Sequence, residues 1–229
     1  MQTRRDLLIA MLEKTRKEPV DRDELRAAVR VTDEVFDRFL DQLISEGLIN
    51  DDGILLEASL SQRMELATRA VKAGTDFERV GRALGWLEFE EMVAYVFEEN
   101  GYRVSKRFRF TADGRRWEID VLALRRPLIV CAECKHWSRG LGNMTARRIA
   151  ETHLEKVRVL SENVGNLGSR LRLEGWNKAT VVPIALSLQP ARNKIYRRIP
   201  VVSIFELPNF ISEFEGQMEW LAKFPVEFP

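Results

Sequence analysis

Two short apolar stretches each carry residues that do not belong in a hydrophobic strand unless they do chemistry: Asp120 in WEIDVLAL, and Glu133 with Lys135 in LIVCAECKHW. A carboxylate among apolar neighbours is costly unless it is paired or ligated. Two carboxylates brought together repel unless a cation lies between them. Both stretches have the β-branched, aliphatic character of strands, and Arg125-Arg126-Pro127 between them predicts a turn. Asp120 and Glu133, thirteen positions apart, therefore predict a hairpin short enough to bring the two acids together at one end of a sheet. Side chains alternate along a strand, so Glu133 and Lys135 share a face and Cys134 points away. The same rule groups Asp120 with Glu118 and Leu122, and sets Ile119 and Val121 on the other side.

Oxygen ligands that leave positions open for water and phosphate suit Mg²⁺ or Mn²⁺. Such a metal lowers the pKa of bound water and neutralises an attacked phosphate, and a nearby ammonium orients the water and stabilises developing charge. Asp120, Glu133 and Lys135 thus make a coherent phosphodiesterase set. The alternative for the same three residues is a structural ion pair at a sheet end. Cys131 and Cys134 have the CxxC spacing of a zinc site, but residues three apart on a strand face opposite ways, and buried thiols are the better reading.

The elements that must position these residues follow from periodicity. WLEFEEMVAYVFEENGY predicts a helix with Phe89, Met92, Val93, Val96 and Phe97 as its apolar stripe, ended by Gly101. YRVSKRFRF predicts a strand, with a turn at Asp113-Gly114 before WEIDVLAL. After the third strand come a helix from about Thr145 to Asn163, strands in ATVVPIALSL and IPVVSIFEL, and a last helix near Phe210 to Phe214. This order predicts an α/β fold with a mixed sheet flanked by helices.

Upstream, residues 3–16 predict a helix carrying Leu7, Leu8, Met11 and Leu12 on one face. Asp21 and Glu24 are spaced as a capping box. Thr32 caps a third helix whose apolar positions Val35, Phe36, Phe39, Leu40, Leu43 and Ile44 follow helical spacing, and LIN-DDG-ILLE predicts a hairpin. Three helices and a hairpin resemble a winged helix-turn-helix. The domain reading is a winged-helix-like α+β domain at 1–57, a helical connector at 58–84 and a nuclease domain at 85–229. The third helix exposes Asp33, Glu34, Asp37, Asp41 and Glu46 against Arg38 alone, which phosphates repel, so dimerisation or packing is preferred to DNA reading.

The ordered set FEEMVAYVFEENGYRV, EIDV and ECKHW resembles the PD-(D/E)XK nuclease superfamily, in its Mrr-like restriction endonuclease and archaeal Holliday-junction-resolvase-like branch, over residues 85–210. Ile119 stands before Asp120 where a proline often precedes the acid. The resemblance implies a restriction-endonuclease-like fold. It implies that Asp120 and Glu133 ligate the metal with the Cys134 backbone carbonyl, that Glu90 adds a carboxylate, and that Lys135 is the catalytic lysine. His153 and Lys156 are candidates for a further polar contribution from the following helix. The implied partner is DNA, cut by a homodimer because two-fold symmetry presents one centre to each strand.

Charge supports a polyanion partner. Residues 101–200 hold 21 basic and 8 acidic side chains, a net of +13, whereas residues 1–57 sum to −5 and the last 29 to −4. Arg107, Arg109, Arg115, Arg116, His136, Arg139, Arg147 and Arg148 are the candidate DNA contacts, and the GLGN loop after Arg139 is a candidate moving element. No apolar run approaches the ~18 residues a membrane span needs, and two cysteines make no disulfide framework, which fits a reducing cytoplasm. A non-catalytic DNA-binding or regulatory protein on a degenerate nuclease fold is the competing expectation.

Overall fold

The structure is a computed structural model that describes residues 2–135, 143–188, 190, 191 and 193–228, with the side chains of residues 2, 3, 86, 87 and 143–146 left undescribed. His136, Arg139 and the glycines of the GLGN loop lie outside the described residues. The chain divides into two compact units, Met1–Met92 and Val93–Pro229.

In the first unit, α1 (Gln2–Lys14) is followed by β1 (Val20–Asp21), α2 (Arg22–Ala27), α3 (Asp33–Ser45), β2 (Asn50–Asp51) and β3 (Leu55–Glu57). The strands pair antiparallel in the order β1-β3-β2. Leu7, Leu8, Met11, Leu12, Phe36, Phe39, Leu40 and Leu43 are buried, as their spacing requires, whereas Val35 in the first turn of α3 is exposed and Ile44 only half-buried. Asp21 caps α2 by accepting from the Asp23 and Glu24 amides. The reciprocal half of a capping box is replaced, because Glu24 takes Lys14 at 2.7 Å. The reciprocal box belongs instead to α4 (Leu60–Lys72), where Ser59 and Gln62 satisfy each other's backbone amides. Both α4 and α5 (Phe77–Leu84) pack on α1. α6 (Trp86–Glu99) begins in this unit.

The second unit is a mixed sheet. β4 (Arg103–Ala112), β5 (Arg115–Arg125) and β6 (Leu128–Lys135) run antiparallel in sequence. Asp113 and Gly114 make the first turn with φ of 52° and 72°, the pair of positive values that matches the twist of a two-residue hairpin. α7 (Asn143–Asn163) and the short α8 (Gly168–Leu171) then lead to β7 (Lys178–Ser187), parallel to β6. β8 (Ile195–Tyr196) and β9 (Ile199–Ser203) form a hairpin, α9 (Leu207–Gln217) follows, and β10 (Phe224–Glu227) closes the chain. The order is β4-β5-β6-β7-β9-β8, with β10 also pairing β7. β9 takes the Ala185–Ser187 end of β7 and β10 the Lys178–Val181 end, so β7 is hydrogen-bonded along both edges. Val157 and Leu160 of α7 and Val164 just after it join Trp117, Ile119, Leu122, Ile129, Cys131 and Val181 in one core cluster.

That cluster exposes an irregularity. Ile119 and Leu122 both belong to it although they are three apart, and a regular strand returns to a face every two residues. The expectation that Ile119 and Val121 share the face opposite Leu122 is therefore corrected for Ile119. The break falls on Asp120 and Val121. On the neighbouring strand, the residue whose register position faces Asp120 is Arg107, held at φ 50°. The β4–β5 pairs keep one register on either side of it, so both strands deform together.

Candidate active site

The β5–β6 ladder runs from Arg125 opposite Leu128 to Val121 opposite Ala132, and there it ends. The next positions are Asp120 and Glu133. Where backbone pairing stops, the Asp120 carboxylate replaces it, and Oδ2 accepts the Cys134 amide hydrogen at 2.8 Å. The two strands thus part at the point where they carry their acids.

Glu133 is only 5% exposed and surrounded by nitrogen. Lys135 Nζ lies 2.7 Å from its Oε1. Lys156 Nζ, from α7, donates to Oε2 at 2.7 Å. His153, fully buried on the same helix, donates from Nε2 to the Cys131 carbonyl at 2.8 Å. A carbonyl can only accept, so the ring hydrogen on Nε2 is fixed by this bond. His153 Nδ1 then faces Glu133 Oε2 at 3.4 Å, without the geometry of a hydrogen bond.

These surroundings drive the two acids apart in pKa. Burial raises the Asp120 carboxyl above the usual carboxylate range, and the charge of Glu133 adds to it, against the Cys134 amide and the two lysines. Burial pushes Glu133 upward too, but His153 and Lys135 outweigh it and hold that carboxyl well below its ordinary value. Desolvation lowers Lys135, yet the bond to Glu133 and the charge of Asp120 leave its ammonium more firmly protonated than usual. Separated acid pKa values within one constellation are a mark of functional sites.

The structure brings together Asp120, Glu133 and Lys135, and adds His153 and Lys156 from α7. Glu90 sits in the first unit on α6 and is buried. Cys131 and Cys134 are buried and form no disulfide, and burial pushes the Cys131 thiol far up, so it is chemically quiet. Of the candidate DNA contacts, Arg109 and Arg116 line one cleft with Arg170. Arg115 lies over the Trp117 ring at 4.1 Å. Arg107 and Arg148 are exposed, and Arg147 pairs with Glu151 at 3.0 Å. Arg170, on the short α8, carries no signal in the sequence beyond its charge.

Residues 85–174 match the family model of the nuclease-related domain, NERD. That segment contains Glu90, Asp120, Glu133, Lys135, His153 and Lys156. No curated protein matches the chain. Among solved structures, the protein of unknown function AF1548 is 17% identical, with a TM-score of 0.38 over 56% of this chain and 65% of its own. Protein VC1899 from Vibrio cholerae is 15% identical, with a TM-score of 0.38 over 95% of this chain and 51% of its own. The small subunit of the heterodimeric restriction endonuclease R.BspD6I is 13% identical, with a TM-score of 0.28 over 58% and 72%. The chain thus spans less than two thirds of the length of the first two. No helix among the described residues is long and apolar enough to cross a membrane.

Proposed function

We propose that this chain is a metal-dependent endonuclease that hydrolyses phosphodiester bonds in DNA, in repair, recombination or restriction. One observation carries the reading: Asp120, Glu133 and Lys135, from two adjacent strands, meet where the β5–β6 ladder opens. The match of residues 85–174 to a nuclease-related domain supports it.

The donor set fits a hard divalent cation. Asp120 and Glu133 bear on each other electrostatically, and the Asp120 carboxyl is held high in part by its neighbour's charge, a penalty that a cation between them removes. No group of three or more His, Cys, Asp or Glu occurs among the described residues as a ready metal cage. Two carboxylates with water and substrate phosphate completing the shell is the arrangement Mg²⁺ favours. Asp120, Glu133 and the Cys134 backbone carbonyl would hold Mg²⁺ or Mn²⁺, which supplies Lewis acidity and a water of lowered pKa when bound. Lys135 keeps its proton and places positive charge beside the attacked phosphate. Lys156 and His153 fix the Glu133 rotamer by crowding Oε2. The fold around them excludes water from Glu133, which strengthens each of these interactions.

Cleavage of plasmid, duplex, single-stranded, flap and four-way DNA with Mg²⁺ or Mn²⁺ tests this. Wild type is expected to cut at least one substrate. Asp120→Ala and Lys135→Ala each lower the rate roughly 100-fold or more while still binding DNA in EDTA. Glu90→Gln belongs in the same series, because the PD-(D/E)XK resemblance assigns it a carboxylate role. A second reading, a non-catalytic DNA-binding protein, has one observation in its favour: both Glu133 oxygens already hold ammonium groups, as in a structural ion-pair cluster. Wild type that binds DNA and cuts none of these substrates decides for it. A homodimer, with one centre for each strand, is the assembly this activity suits best. The element order and sheet of residues 1–57 support the winged-helix reading.

A further inference from the structure

The hairpin of β4 and β5 carries a second feature that the catalytic constellation does not use. Beyond Asp120, Arg109, Phe110 and Thr111 of β4 and Arg116, Trp117 and Glu118 of β5 line a cleft of about 530 Å³ closed by Arg170. Its volume falls in the ~300–1,000 Å³ range of small-ligand sites, but those sites are lined mainly by apolar groups. Here the aromatic side chains are almost fully covered: Phe110 is 3% exposed and Trp117 7%. The polar half of the lining is three guanidiniums, Thr111 and a single carboxylate, Glu118, which pairs with Arg109 at 2.6 Å.

Two of the three guanidiniums, those of Arg109 and Arg170, have a partner before any ligand arrives. Arg170 donates to the Arg109 carbonyl at 2.7 Å and lies over the Phe108 ring at 5.1 Å. Arg115, beside the cleft, stacks on Trp117. Arginines held on aromatic faces lose little side-chain freedom on binding, and their planar forks suit phosphate oxygens. β4 is the edge of the sheet, and its exposed backbone groups would invite strand pairing. Arg170 takes one of those carbonyls, and Arg103 reaches the other way to the Leu171 and Arg172 carbonyls. α8 is thereby pinned along the edge with Arg170 over the cleft.

We infer that this cleft is a phosphate-backbone site for DNA, formed by Arg109, Arg116 and Arg170, that engages the strand away from the scissile bond. The site deepens the nuclease reading by giving the substrate a second anchor. A strand rises about 3.3 Å per residue, so Arg116 lies about 13 Å from Asp120 along β5. DNA rises about 3.4 Å per nucleotide along one strand. A strand laid along β5 would place the cleft about four nucleotides from the cut. Contacts of this kind fix register and carry no sequence information.

The test is binding without cleavage. Full-length wild type, Arg116→Gln, Arg170→Gln and the double variant are titrated in EDTA into a labelled duplex DNA, across salt concentrations. Each single change is expected to weaken binding severalfold, equally for unrelated sequences, and to reduce the slope of log affinity against log salt by about one. Arg158→Gln, on α7 and paired with Glu162, serves as the control and leaves the slope unchanged. Arg170→Gln also loosens the sheet edge, so circular dichroism accompanies it, and Arg116→Gln alone decides if the fold suffers. An unchanged slope in Arg116→Gln and in the folded double variant overturns the assignment. So does duplex RNA of the same sequence bound ten times more tightly, or millimolar inorganic phosphate that displaces the DNA in wild type and the double variant alike. Because nothing is cut, failure here leaves the cleavage assay standing, and failure of cleavage leaves this site standing.

Discussion

Glu133 has two lysines and a histidine around one carboxylate, whereas Asp120, its counterpart across the parted strands, has a backbone amide and its neighbour's charge. This asymmetry shifts the two carboxyls in opposite directions from their ordinary values. Glu133 is held below its unfolded value, so it adds stability above the unfolded pKa near ~4.3, and that contribution is lost as pH falls through its lower folded value. Asp120 is held above its unfolded value. It therefore costs stability at neutral pH, and the cost is relieved as pH falls through the raised value. Carbon-13 NMR of the Asp120 carboxyl should show an inflection above the free-residue value of 3.8. Glu133→Gln should move that inflection down, because it removes the second of the two causes that raise it. An inflection that stays in place would show that the carboxylates do not sense each other, and the cation site would lose its basis. The same raised value predicts that metal affinity, read by calorimetry, weakens on acidification at a higher pH than for an ordinary aspartate.

The elements present these residues by breaking their own regularity. Arg107 adopts φ 50° on β4, a conformation that costs a non-glycine residue on the order of 1–3 kcal/mol. Its place opposite Asp120 ties that strain to the site. Arg107→Gly, which removes the steric penalty, is expected to keep or raise the thermal midpoint, and Arg107→Ile, branched at Cβ, to lower it and shift the Asp120 amide resonance. If both behave alike, the left-handed backbone is not what displaces Asp120 from the regular pleat. A different device begins α6. Arg63, 3% exposed on α4, grips Glu88 with a fork whose Nη2 arm measures 3.0 Å, and also reaches Thr15 at 2.8 Å. Arg63→Ala leaves the half-buried Glu88 carboxylate without its fork and should cost up to about 3 kcal/mol in urea unfolding, the low end for a buried pair. Replacing the pair together, Arg63→Met with Glu88→Gln, should cost far less.

Periodicity made the strands, α6, α7 and the acid pair readable, because a two-residue or 3.6-residue rhythm is a local property. The three-residue step from Ile119 to Leu122 was not readable, since it depends on Arg107 across the sheet. Nor was the fate of Glu88, whose run of glutamates looks like a solvated face until Arg63 arrives from 25 residues away. His153 and Lys156 were distinguishable as polar positions on the right helix, but their convergence on one oxygen of Glu133 depends on how α7 packs over β6. β8 and β10 are two and four residues long, too short to carry a period.

At the scale of the whole chain, charge is segregated, with +13 over residues 101–200 and −5 over residues 1–57. Within the first unit, the acidic face of α3 is already engaged by α2. Arg22 pairs with Asp37 at 3.1 Å and Arg26 with Asp33 at 2.6 Å. A helix that reads DNA presents cations to the phosphates, and α3 presents carboxylates whose partners belong to its own unit. DNA affinity should therefore reside in the second unit. Asp37→Asn with Asp41→Asn, in the full chain, is expected to leave the salt slope of DNA binding unchanged. Affinity should stay level or rise slightly as repulsion is relieved, and any change in self-association would appear by sedimentation. Affinity that falls several-fold, with the sedimentation profile constant, would mean that α3 touches DNA through these carboxylates, as acceptors for base amino groups. The N-terminal unit would then be a reader rather than a packing surface.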